Sequence, residues 1–303
     1  MAEDPISQGA AQIKARIVPG GGFAPAPQGD YRPDATCWAI LALMADPAQQ
    51  AIIQQARTRL AAGQLADGRV SISPEHPEAW WPTALAILAW HRSPEHQSPQ
   101  ARAIHFLLTT TGRHWPRPAD SPVAHDTDIA GWSWIAQTHS WVEPTSMAML
   151  ALQITGYGDH PRVQEAGRML LDRQLPQGGW NYGNTLVYDQ ELRPMPLSTG
   201  MALNALHRRT SRATIQRSLA YLQARAAGLH TPRSLGWSLL GLGAWQARPE
   251  PAPAWIPACL ARQAQYGAYD TPSLAVLLVA ARSPGGLEAI FSEPWPKAAA
   301  PKG

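Results

Sequence analysis

The chain has 303 residues, of which 45% are hydrophobic and 13 are Trp, ample for a large core. The formal net charge of +3, spread over scattered arginines, argues against a nucleic-acid partner. Two cysteines, Cys37 and Cys259, are too few for a disulfide framework and fit a reducing cytoplasm. No charged-then-apolar leader opens the chain. No apolar run approaches the roughly 20 residues that span a bilayer.

From the N-terminus, residues 1–11 are poor in large apolar side chains and read as a disordered tail. The first of six similar phrases follows, Thr36–Leu43 (TCWAILAL). The others are Thr83–Trp90, Thr145–Leu152, Thr199–Leu206, Ser234–Leu242 and Ser273–Ala280. Each starts with a hydroxyl residue and is apolar almost all round, which marks a helix buried on every side. Between them lie amphipathic stretches at 49–62, 98–108, 161–173, 211–224 and 255–263, with a weaker one at 286–291. Pro47, Pro99 and Pro161 mark helix starts. The pattern is inner helix, outer helix, about six times. An all-α αα-toroid over residues 12–292 is expected; an open solenoid would use the same repeats. Residues 293–303 read as a second disordered tail.

Three connections exceed the usual loop length: 63–82, 112–144 and 174–198. They concentrate Trp, His, Asp and Gly, so candidate chemistry lies there. His125-Asp126-Thr-Asp128 leads into Trp132, Trp134, His139, Trp141 and Glu143. Adjacent carboxylates and a His can separate into an acid and a base. Equally, such Asp residues cap turns and such Trp residues pin loops. Trp180-Asn181-Tyr182-Gly-Asn184, with Tyr188 beyond, is polar and aromatic enough to contact a ligand, or forms a turn. Trp38 and Trp81, at the inner helices, join the ligand-contacting candidates. No His-x-x-x-His or Cys-x-x-Cys spacing supports a metal site. No cofactor is implied.

Gln174-Leu-Pro-Gln-Gly-Gly-Trp180 and Gln64-Leu-Ala-Asp-Gly-Arg69 close two outer stretches. Gly21-Gly-Phe23 and Gly131-Trp-Ser-Trp134 look like degenerate copies. Over about residues 20–281 this pattern resembles the prenyltransferase/squalene–hopene cyclase repeat family. The resemblance implies the toroid fold; the family includes zinc-dependent prenyltransferases, class II terpene cyclases and members with no assigned reaction. Its zinc-dependent prenyltransferases place a His just before the anchor Thr. Here those positions hold Ala35, Pro82, Pro144, Ser198, Arg233 and Pro272, which supply no such ligand. Its class II terpene cyclases protonate an alkene with an acid two residues before an anchor. Those positions hold Asp34, Trp81, Glu143, Leu197, Pro232 and Thr271. Asp34 and Glu143 are therefore candidate acids, without the family's flanking aspartates, and helix N-capping is the alternative role for each.

The resemblance implies an isoprenoid ligand, with Asp34, Glu143, Asp126, Asp128 and His139 as candidate acid–base groups. Two other readings stay open. One is a non-enzymatic toroid that binds a lipid or a protein; the other is a carbohydrate-active toroid using two carboxylates and sugar-stacking Trp. Peripheral membrane contact also stays open, as does closure of the cavity by a second copy or a partner protein.

Overall fold

The computed structural model describes residues 4–292. The expected tail at 293–303 and residues 1–3 lie outside the described residues.

The described residues open with helix α1 (Pro5–Lys14), where the sequence suggests a disordered segment up to residue 11. The Asp4 carboxylate accepts from the Ser7 N–H at 3.2 Å and Pro5 opens the first turn. Ala10 and Ile13 then bury a small apolar stripe. Small residues suffice because Gly9 lets α1 approach Leu278 closely. Composition alone missed this helix.

The following helices alternate. The inner ones are α2 (Pro33–Leu43), α4 (Pro82–Trp90), α6 (Val142–Ile154), α8 (Pro196–Leu206), α10 (Pro232–Ala244) and α13 (Thr271–Arg282). The outer ones are α3 (Gln50–Ala62), α5 (Gln97–Thr109), α7 (Pro161–Asp172), α9 (Gln216–Ala226) and α11 (Ala252–Ala261), the last followed by a short α12 (Gln263–Tyr266). Each inner helix packs on the next, and α13 packs on α2. The ring is therefore closed, an αα-toroid rather than an open solenoid. The weak sixth outer stretch at 286–291 is instead a 3-10 turn (Leu287–Phe291) packed against α10 and α13. The sixth outer place belongs to α1, which packs on α13 and α11. The Arg16 guanidinium fastens that closure. It donates to the Tyr269 carbonyl at 2.6 Å and to Thr271 Oγ1 at 3.1 Å.

The repeated hydroxyl residue has a definite task. Thr36, Thr83, Thr145 and Thr199 are fully buried, and each Oγ accepts a backbone N–H at 2.9 Å. The donors are Phe23, Val70, Trp132 and Trp180, which lie within or just after the four Gly-containing phrases. The four loops are thereby clipped to the start of the next inner helix. The indoles of Trp132 and Trp180 then pass between the rings and donate to the carbonyls of Leu107 (3.0 Å) and Leu170 (2.6 Å). Gly178, at φ +95°, makes the turn before Trp180 where any side chain would meet the Arg217 backbone. Gln174 closes the same turn by donating to Ser218 Oγ at 2.8 Å. In α10 and α13 the clip is missing: Ser273 is instead held through its N–H by the Asp270 carboxylate at 2.8 Å.

Thr145→Val keeps the shape but strands the Trp132 N–H in a dry site. It is expected to cost about 2 kcal/mol, read as a lower denaturant midpoint at an unchanged slope. A midpoint equal to wild type would mean that the clip is not a stabilising contact.

Candidate functional site

The N-terminal ends of all six inner helices surround a cavity of about 400 Å³. Its wall has two tiers, because residues four apart stack one helical turn above another. The upper tier, at the mouth, is Asp34, Trp81, Glu143, Leu197 and Arg233. One turn deeper lie Trp38, Leu85, Met147, Met201 and Trp237. Every charged wall residue from a helix sits in the upper tier, and every lower-tier residue is apolar. The site is a polar collar over an apolar floor. Trp134, Tyr182 and Met195 reach in from the loops.

The floor is aromatic and soft. Trp38 and Trp237, on helices separated by α13, meet edge to face at 5.7 Å between centroids. Trp81 and Trp134 make a second such pair at 5.6 Å. The three methionines add adaptable, polarisable surface between them.

Asp34 and Glu143 both line the cavity, and their surroundings differ. Asp34 is 2% exposed and receives a two-pronged contact from Arg32, at 2.6 Å and 2.8 Å. Arg32 also lines the cavity and is the more exposed of the pair, with 40% of its side chain exposed against 3% for Asp34. Glu143 is 9% exposed, and its hydrogen-bond partner is the Ser198 hydroxyl, which donates to Oε1 at 2.8 Å. Burial raises the Glu143 carboxyl above its usual range, against the Ser198 hydrogen bond and the charge of Arg233. Neither carboxylate caps its helix. Each is the second residue of its first turn, and no side-chain cap bond forms at α2 or α6. The N-cap role expected as the alternative is thus not the one taken.

The other carboxylate cluster faces elsewhere. Asp126 and Asp128 line a separate recess with Arg117 and Asp172, outside the central cavity. Asp126 Oδ1 accepts from the Asp128 N–H at 2.9 Å, the turn-capping role. The Asp172 carboxylate on α7 accepts from the Asp126 N–H at 3.0 Å and draws the loop outward. His139 accepts from Arg173 at 3.0 Å through Nε2, which fixes Nδ1 as the donor to the Arg113 carbonyl. His125 stacks on it at 5.9 Å. Burial, then the charge of Arg173, pushes His125 down to about 3; burial likewise lowers His139 and His114. His114 and His125 pack on His139 at 5.4 Å and 5.9 Å between ring centroids, within the same loop that carries Trp134.

The ligand-contact candidates also divide. Trp38, Trp81, Trp134 and Tyr182 reach the cavity, Tyr182 at its rim with 52% exposure. Trp132 and Trp180 are the buried wedges already described. Trp141 precedes α6 and is half-buried. Asn181 Oδ1 accepts from the N–H groups of Gly183 and Asn184, so both asparagines form a turn. Tyr188, 78% exposed, tops the hairpin of β1 (Leu186–Val187) and β2 (Gln190–Glu191). Residues that sequence reasoning missed are Arg32, Ser198, Arg233, Trp237 and the methionines. The anchor spacing that found Glu143 could also have found Met147 and Met201, one turn on. Among the described residues no group of three His, Cys, Asp or Glu side chains is placed to hold a metal ion. No helix among them is long and apolar enough to cross a membrane.

No protein-family model and no curated protein matches this sequence. Solved structures do match over nearly the whole chain. A protein from Actinoplanes superposes with a TM-score of 0.62 at 14% identity, covering 92% of this chain and 98% of its own. The type II terpene cyclase MstE from Scytonema, without ligand, gives 0.59 at 12% identity over 92% and 98% of the two chains. A variant of that cyclase in complex with geranylgeranyl dihydroxybenzoate, its substrate, gives 0.57 at 12% identity, over 94% and 98%. At such identities the likeness is one of fold, and the fold is a terpene cyclase-like αα-toroid.

Proposed function

We propose that this protein binds an isoprenoid chain in the toroid cavity and starts its cyclisation by protonation from Glu143. The observation that carries the reading is a buried carboxyl with no salt-bridge partner among the described residues, set above a floor of Trp and Met. Ser198 donates to Oε1, which leaves Oε2 to hold the proton. An alkene placed against Oε2 takes that proton on one carbon, and the neighbouring carbon becomes cationic. Trp faces stabilise such a charge by about 2 kcal/mol or more where water is excluded. Ring closure then uses the electron pair of a second alkene. The terpene cyclase-like fold supports the reading, and so does the apolar depth of the cavity, which suits a prenyl chain better than a sugar.

The test uses farnesol and geranylgeraniol as probes. Binding is followed by tryptophan fluorescence, and products by mass spectrometry in D2O. Quenching together with a cyclic product carrying one new deuterium is the expected result. Quenching with the probe recovered unchanged would make the protein a carrier and overturn the enzymatic half of the proposal. No quenching by either probe would overturn the ligand class.

A further inference from the structure

The collar holds two carboxyl groups at equivalent repeat positions, and they cannot share one role. Glu143 has a hydroxyl for company and burial favours its neutral form. Asp34 has a guanidinium on both oxygens. Such a two-pronged, charge-assisted contact gives the carboxylate a cationic partner in a buried place. Arg32 uses one lone pair on each oxygen, so acceptor sites remain for another proton. Both members of the pair line the cavity; the guanidinium is its more exposed member and the carboxylate its buried one. Directly beneath it, one turn along α2, lies Trp38, in contact with Trp237 on the floor. In the ring order α2, α4, α6, Asp34 and Glu143 are separated by one helix, which brings Trp81 to the wall between them.

Resting on the cyclase reading, we infer that Asp34 is the base that ends the reaction. The final cation is relieved when the Asp34 carboxylate takes a proton from the carbon next to the cationic centre. That C–H electron pair becomes the double bond of the product. Glu143 has lost one proton and Asp34 has gained one, so substrate and product are isomers. Water at the open mouth then returns the proton to Glu143, which resets both groups. A carboxylate is an adequate base here, because a C–H beside a carbocation is a far stronger acid than any carboxylic acid. One site thus holds an acid and a base apart, each set by its own neighbours.

The experiment compares wild type with Asp34→Asn, and with the double variant Arg32→Ala/Asp34→Ala, which leaves no buried charge unpaired. Geranylgeraniol in D2O is the probe. Both variants are expected to keep incorporating the starting deuterium. Their products should move from cyclic alkene toward water-captured alcohol, changing that ratio by about tenfold or more. A wild-type product ratio in both variants would overturn the role of Asp34 while leaving the cyclase reading intact. Loss of deuterium uptake in folded Asp34→Asn, with uptake kept in Glu143→Gln, would reverse the two roles and overturn both assignments. If wild type itself leaves the probe unchanged, the cyclase reading fails and the base assignment falls with it.

Discussion

Glu143→Gln is expected to abolish deuterium uptake into geranylgeraniol, cutting conversion by about 10²–10⁴-fold. The amide keeps the shape and can still accept from Ser198, so the melting temperature should hold or rise slightly. Probe binding should also survive, because the Trp and Met floor is untouched. The variant therefore separates chemistry from binding. A second signature is pH. The proton donor must be neutral, so activity is highest at low pH and declines as the medium turns more alkaline. Burial places the Glu143 transition above the ordinary glutamate value of about 4.3. In folded Glu143→Gln that decline should vanish along with the rate. Undiminished turnover in this variant would remove Glu143 from the chemistry altogether.

Gly200→Ala is expected to destabilise the fold by about 3 kcal/mol. On an open helix the same change would stabilise it by about 0.5–1 kcal/mol, since Gly is the poorer helix former. The sign is the diagnostic. α8 and α10 touch backbone to backbone here: a Cβ on Gly200 would run into the Trp237 carbonyl, and one on Gly241 would lie 2.5 Å from the Gly200 carbonyl oxygen. Neither helix can yield without moving Trp237 and Met201, both on the cavity floor. Probe affinity should therefore fall together with stability. Gly167→Ala on outer helix α7 is the control. There the new Cβ would meet only the Met149 methyl, at an ordinary 3.7 Å, and stability should hold or rise. Equal urea midpoints for the two variants would show that the α8–α10 contact is not tight.

Much of this architecture was readable because it repeats. The hydroxyl anchor recurs where a helix starts, and counting back two residues from it led to Asp34 and Glu143, both of which face the cavity. Equivalent positions in a ring of like helices point the same way. Non-repeating parts were not readable in that manner. Asp126 and Asp128 looked equally acidic, but Asp172 and Arg173, on and just beyond α7, pull that loop away from the mouth. Nothing in the local pattern announces a partner 46 residues on. Trp237 hid inside a phrase that is apolar all round, where a floor residue and a core residue look alike. Helix α1 was missed because its buried face is little more than Gly9, Ala10 and Ile13.

That first helix sets the order of events at the ribosome. Arg16 and Thr271 are hydrogen-bonded across 255 positions of chain. At roughly 5–20 residues per second, α1 waits on the order of 10–50 s for the helix it must cover. Through that interval α1 touches only α2 and lacks its main partners α11 and α13, and the growing arc of inner helices has an open seam. The toroid can be completed only after nearly all of it has been synthesised. A stop codon anywhere before Thr271 would leave an unclosed ring, not a smaller working one.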